Sequence, residues 1–256
     1  MKPIALLSDF GTQDWFVASM KAVILFVNPS AVIVDINHNI PAGDITAGAF
    51  NLLACHAYFP EGTTFVAVVD PGVGSGRAAL AIKAGGYFFV GPDNGLFSLI
   101  IDNYYKFEVR SLENTRYFLK EVSATFHGRD IFAPVGAHLS RSVAFEKLGP
   151  KMKTIVRLST IAAARADGKR ILGTVAYIDR FGNAITTIPS SLASQASRIR
   201  VKGHTLPLCG RYSDVKEGKP VAVIGSCGFV ELSVNRGSAA KSMKLAIGDA
   251  VTVDPD

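Results

Sequence analysis

The chain has 256 residues, 48% hydrophobic and 19% charged, with a net charge of +6 and three cysteines. That is enough chain for a full core in one large domain or two smaller ones, and too apolar for a disordered protein. Lys and Arg are scattered without interleaved aromatics, which argues against a nucleic-acid groove. Cys55, Cys209 and Cys227 show no CxxC spacing, so neither a disulfide framework nor a zinc site is expected. No run nears the ~20 apolar residues of a membrane span. The N-terminal MKPIALLSDF meets an acid at Asp9, too early for a signal peptide, so a cytoplasmic protein is expected.

Ile4–Ser8 reads as a buried strand feeding the loop Asp9-Phe-Gly-Thr. A helix follows from Asp14, with Phe16, Met20, Val23 and Val27 near helical spacing and Pro29 at its end. Ala31–Ile36 is a second strand, and Asp44 reads as the N-cap of a helix through Ala57. Thr64–Val69 is a third strand, ending at Asp70. Ala78–Lys83 and Tyr87–Val90 form a hairpin across Ala84-Gly85-Gly86. Asn94–Asp102 reads as helix, Lys106–Arg110 as strand and Arg129–Ser140 as helix. This alternation predicts an α/β domain over residues 1–160, a largely parallel sheet flanked by helices. Ligands of such sheets gather at the carboxyl ends of strands, where Asp9 and Asp70 fall.

From about Ile171 the pattern changes to short β-branched segments: GTVAYID, NAITTIP, SRIRVKG, PVAVIGS, FVELSV and DAVTVD. No amphipathic helix is expected there. A smaller all-β barrel or sandwich is predicted over 171–256, with the connection in 148–169 and its end at 161–170.

Gly72-Val-Gly-Ser-Gly76 is not a nucleotide loop. It lacks the G-x-G-x-x-G spacing and the Gly-Lys-Ser/Thr of a phosphate loop, and a strand rather than a helix follows. It reads as a turn, one that can fold Asp70 and Arg77 back towards each other. His127, in FHGRDIF, is either a structural histidine or one placed beside Gly128 to meet a ligand. Asp14 is either a helix cap or a ligand contact, and Asp9 suits the paired hydroxyls of a ribose. Asp179-Arg-Phe-Gly-Asn183 is either a hairpin turn or an adenine site, with Phe181 stacking and Asn183 pairing with the ring edge. No H-E-x-x-H, H-x-x-E-H or D-x-D pattern calls for a metal.

Together, SDFGTQDWFVASMKAVI, DPGVGSGR, VGPDNGLFS, FHGRDIFAPVGAHL, IDRFGNAITTI and GFVELSVNRGSAA resemble the S-adenosyl-L-methionine (SAM) hydroxide adenosyltransferases. These are SAM hydrolases that form adenosine, relatives of the fluorinase and chlorinase. The resemblance spans nearly the whole chain, in the same order. It implies an N-terminal α/β domain, a C-terminal β domain and a homotrimer in which SAM lies between the N-domain of one subunit and the C-domain of its neighbour. It implies an Asp–Arg–His triad at Asp70, Arg77 and His127, ribose contact at Asp9, and methionine-end contacts at Asp14, Asp179 and Ser226. Adenine contacts fall on Phe181, Asn183, the backbone from Val234 to Arg236 and Tyr212 as a second stacking ring, and Glu231 lies in a matching segment. SAM is then the substrate, with no metal or cofactor.

Some positions depart from the family pattern. Thr187 replaces the usual Asn of FGNxxTN, and Cys227 stands where the halogenases have Arg. Asp70 is not a carboxylate in the halogenases, and an anion there would repel a halide while suiting water. The rival readings are a halogenase, a SAM- or adenosine-binding sensor with little catalysis, and a metal hydrolase.

Overall fold

The computed structural model describes residues 2–158, 164–168, 170–193 and 196–255. The chain divides into two compact units, Met1–Leu158 and Ser159–Asp256.

In the first unit, β1 (Ile4–Ser8), β2 (Ile33–Asn37), β3 (Thr64–Val68), β4 (Ala79–Ala84), β5 (Tyr87–Pro92), β6 (Phe107–Ser111) and β7 (Lys151–Met152) form one sheet, ordered β2-β1-β3-β5-β4-β6-β7. The β2-β1-β3-β5 run is parallel, and β4, β6 and β7 extend it antiparallel. Every residue of β1 and β3 is buried, as expected of parallel strands covered on both faces. The helices are α1 (Phe16–Val27), α2 (Ile45–His56), α3 (Ser98–Asn103) and α4 (Ala133–Ser140). Met20 and Ile24 of α1 and Val135 and Leu139 of α4 pack on Ile4, Leu6, Val66 and Val68.

Three details differ from the sequence expectation. Asp14 does not cap α1, because Trp15 holds the cap position without a side-chain hydrogen bond. Helix α3 begins at Ser98 rather than Asn94, since the Asn94 side chain is spent on the Val69 carbonyl (2.8 Å) and the Leu96 amide (3.2 Å). Helix α4 begins at Ala133, behind a π-helical turn over Gly128–Phe132 that starts directly after His127. Such wide turns recur at functional sites. Asp44 caps α2 as expected, accepting from the Ala47 amide at 2.9 Å.

The second unit holds β8 (Arg165–Asp167), β9 (Arg170–Ile178), β10 (Ala184–Pro189), β11 (Ala196–Val201), β12 (His204–Cys209), β13 (Pro220–Ile224), β14 (Phe229–Val234) and β15 (Ala250–Pro255). The order β10-β14-β13-β12-β11-β15-β9 closes through a β9–β10 pairing into a barrel, with β8 appended to β9. Val175, Ile188, Ile199, Leu206, Val230, Leu232, Val251 and Val253 fill it. Closure removes the exposed edges an open sheet of this composition would carry. Strand β12 is not evident in sequence because Pro207, opposite Arg198, interrupts it. Two single-turn helices, α5 (Ser190–Ala193) and α6 (Ala239–Ser242), occur where none was expected; Ser238 caps the second, accepting from the Lys241 amide at 3.2 Å. Strand β8 lies in the expected connecting stretch, of which 159–163 and 169 fall outside the described residues.

Candidate active site

The chain leaves β3 at Val68 and reaches Asp70 above the carboxyl edge of the sheet. Two successive turns, Val73 N–H to Asp70 O (3.2 Å) and Ser75 N–H to Gly72 O (3.1 Å), then fold it back. Gly74 has φ +76°, and a Cβ there would meet the Ala124 carbonyl oxygen at 2.3 Å, so only glycine fits this passage. The loop returns Arg77 to Asp70. Arg77 Nε donates to both carboxylate oxygens at 3.0 Å and Nη2 to Oδ2 at 2.5 Å. Both side chains are nearly buried, 5% exposed for Asp70 and 10% for Arg77, with the guanidinium carbon 5.4 Å from the centroid of the Phe132 ring.

His127 completes the cluster from the other side, its Nδ1 2.8 Å from Arg77 Nη2. A guanidinium has no acceptor, so Nδ1 must accept and the imidazole proton sits on Nε2. Burial, reinforced by the Arg77 charge, pushes His127 below its ordinary pKa against the opposing pull of Asp70 and Asp130. Neutral histidine is therefore the form this cluster holds. Asp130, wholly buried, ties the neighbouring loop down: Ser123 N–H donates to its Oδ2 at 2.8 Å and Arg129 Nε to its Oδ1 at 2.5 Å.

Asp70 also lines a cavity of ≈ 560 Å³ with Asp9, Phe10, Phe16, Gly43 and Phe126. Asp9 Oδ2 accepts from the Gly43 amide at 2.8 Å. The three phenyl rings pack with centroids 5.2–5.7 Å apart. None of these rings stood out in the sequence as a site residue, although Phe10 follows Asp9 and Phe126 precedes His127. Asp14 is exposed at the head of α1.

In the barrel unit, Phe181, Asn183, Tyr212, Val234, Arg236 and Gly237 line a second cavity of ≈ 500 Å³. Asp179-to-Asn183 is a hairpin turn joining β9 to β10. Asp179 Oδ1 accepts from the Phe181 (2.9 Å) and Asn183 (2.8 Å) amides, and Oδ2 from Asn183 Nδ2 at 3.0 Å. The turn reading holds, and it uses the Asn183 amino group internally; among the described residues the Asn183 Oδ1 has no hydrogen-bond partner. Tyr212 O–H donates to Glu231 Oε1 at 2.7 Å, and Ser233 O–H donates to the same atom at 3.0 Å. Burial and the Glu231 bond push the Tyr212 phenol well above its ordinary range, so it stays a donor. Ser226 and Cys227 form the turn between β13 and β14, with the Gly228 amide donating to Gly225 O at 2.9 Å. Burial raises the Cys227 thiol as well. Among the described residues, no group of three or more His, Cys, Asp or Glu side chains is arranged to hold a metal ion.

The α/β unit thus carries a nearly buried charge cluster at the carboxyl edge of its sheet, and the barrel unit a pocket lined by Phe181 and Tyr212. The chain belongs to the SAM hydroxide adenosyltransferase family: the model of that family's N-terminal domain matches residues 4–149 and that of its C-terminal domain residues 173–252. The (R)-S-adenosyl-L-methionine hydrolase of Thermus thermophilus is 40% identical over 257 residues, covering 97% of this chain and 98% of the relative. A fluorinase of an Actinoplanes species is 28% identical over 287 residues, covering 98% and 96%. The crystal structure of an uncharacterized conserved protein from Thermotoga maritima matches with a TM-score of 0.92 at 34% identity, covering 98% of this chain and 99% of that one.

Proposed function

We propose that this protein hydrolyses SAM to adenosine and L-methionine, water attacking C5′ of the ribose from the side opposite sulfur. The observation that carries the reading is the buried Asp70–Arg77–His127 cluster beside a cavity containing Asp9. As the C5′–O bond forms, the C5′–S pair returns to sulfur and methionine leaves as a neutral thioether. The attacking oxygen becomes strongly acidic as it bonds to carbon, so even a weak base suffices to take its proton late in the reaction. In the tautomer that the Arg77 bond requires, His127 offers only a donor, Nε2–H, and Arg77 has only donors. Asp70 is the member able to accept, and it faces the cavity. We therefore assign His127 to holding the nucleophile, Arg77 to fixing both partners and Asp70 to the proton. Positioning supplies much of the rest, since in-line attack requires carbon and oxygen ~3–3.5 Å apart on one axis.

In the same reading Asp9 accepts the ribose hydroxyls, while Phe181 and Tyr212 stack on adenine. Asn183 Oδ1 accepts from the adenine amino group, and the Val234–Arg236 backbone borders the ring. Asp14, Asp179 and Ser226 face the methionine end, and Glu231 supports Tyr212. No metal takes part. Homotrimeric assembly with the site at a subunit interface, and a cytoplasmic location, belong to this proposal, the assembly resting on the family resemblance.

The test is to incubate the purified protein with SAM, without halide or metal, and separate the products. Adenosine and methionine in equal amounts, lost in His127→Ala, are expected. Halide-dependent product would instead indicate a halogenase, loss of activity with chelator a metal hydrolase, and intact bound SAM a sensor. The pH profile adds a check. Protonating His127 at Nδ1 breaks its bond to Arg77 and sets two cations together, so kcat/KM should fall on the acid side with a midpoint below the ordinary histidine value of 6.5. A limb at or above that value would contradict the tautomer assignment.

A further inference from the structure

A second imidazole lies beside this site. Ser8, the last residue of β1, and His38, just after β2, are buried, and Ser8 Oγ is 2.7 Å from His38 Nδ1. His38 Nε2 is 3.1 Å from Asp35 Oδ1, and Lys21 Nζ donates to Asp35 Oδ2 at 2.6 Å. A carboxylate only accepts, so Nε2 carries a proton, and in the neutral ring Nδ1 then accepts from the Ser8 hydroxyl. Burial opposes the charge on Asp35, yet hydrogen bonds from Lys21 and His38 hold it below the usual carboxylate range. The order Asp–His–Ser imitates a nucleophilic triad, but Ser8 is 0% exposed and no substrate reaches it.

The output of this chain is the backbone of the loop that carries Asp9. Ser8 Oγ accepts from the Phe10 amide at 3.4 Å, and the His38 carbonyl accepts from the Gly11 amide at 2.7 Å. Gly11 has φ +69°, the left-handed turn that this grip requires. With the Gly43 amide on the carboxylate, the three residues after β1 are held at three atoms.

We propose that His38, polarised by Asp35 and acting through Ser8, is a positioning residue that presets the Asp9 loop for the two hydroxyls of the substrate ribose. The inference rests on the ribose role proposed for Asp9.

Adenosine and 2′,3′-dideoxyadenosine are titrated calorimetrically into the full-length protein and its His38→Ala, His38→Asn, Ser8→Ala and Asp9→Ala variants. Losing the side-chain bonds that join Asp35, His38 and Ser8 to this loop, in His38→Ala or Ser8→Ala, is expected to weaken adenosine binding about tenfold. Binding of the dideoxy compound, which has no diol, should be nearly unchanged. His38→Asn, whose Oδ1 takes the place of Nδ1 and accepts from Ser8, should restore most of the affinity. Adding His38→Ala to Asp9→Ala should cost nothing more. Equal weakening of both nucleosides, or wild-type affinity in His38→Ala and Ser8→Ala, would overturn the inference alone. Unchanged adenosine affinity in Asp9→Ala would overturn the ribose role of Asp9, and this inference with it. Should His38→Ala not fold, Ser8→Ala carries the same comparison.

Discussion

The two units hold, in opposite ways, the groups proposed to act. In the α/β unit, Asp70 and Arg77 are nearly buried and satisfy one another before any ligand arrives, with His127 locked to the guanidinium. In the barrel unit, Phe181 is 77% exposed and Tyr212 43%, held only by the Phe181 amide's bond to Asp179 and the Tyr212 hydroxyl's bond to Glu231. Groups that must act on a developing charge gain from being fixed in advance, because no reorganisation is then needed at the moment of reaction. Groups that recognise a flat ring need only present a face, and can gain their burial from the ligand itself.

The largest effect should come from breaking the preassembled side. Arg77→Ala leaves Asp70 a buried carboxylate without its partner and His127 without its donor. Turnover should fall by at least ~10², as for loss of a general acid–base group. Stability should drop by roughly 3–5 kcal/mol, as when one member of a buried pair is removed. Arg77→Lys keeps the charge but not the fork that bonds both neighbours at once, so it should recover stability more than turnover. Single-turnover rates and urea unfolding measure the two separately. Undiminished turnover in Arg77→Ala would end the catalytic role of the cluster.

On the barrel side the order of effects should invert. Phe181 is exposed, so Phe181→Ala should leave unfolding almost untouched while adenosine affinity falls by ~1–3 kcal/mol, the usual worth of stacking a base on an aromatic ring. Calorimetric titration reads this directly. Unchanged affinity would place adenine elsewhere, and a large loss of stability would mean that the two units are built alike after all.

Much of this contrast is legible in the sequence because it is local. IALLS and TFVAV announce covered parallel strands, and the glycines between Asp70 and Arg77 announce a turn that returns on itself. DRFGN contains both its hairpin and its ring. What is hidden depends on contacts across the chain. The setting of His38 is hidden because its serine is 30 residues away and meets it only through the parallel β1–β2 pairing. The π turn after His127 has no periodicity to announce it, and the closing β9–β10 pair of the barrel shows only as two more strands. Tautomers are hidden too: that Nδ1 of His127 accepts follows from a 2.8 Å distance to a group that can only donate.

The smallest effect tests whether the barrel pocket has any preassembly of its own. The Tyr212 hydroxyl rests on Glu231 Oε1, which Ser233 also supports, so the ring is held from its far end while its face stays open. Glu231→Gln retains an acceptor carbonyl at that atom, and adenosine affinity should stay within about twofold. Glu231→Ala releases the hydroxyl, and affinity should fall about three- to tenfold, near the worth of one hydrogen bond. Tyr212→Phe removes the same bond from the other side, so the double change should be no worse than Glu231→Ala alone. Additive losses would mean that Glu231 touches the ligand itself. The barrel would then contribute a buried charge to the site, and the division between a charged unit and a stacking unit would no longer hold.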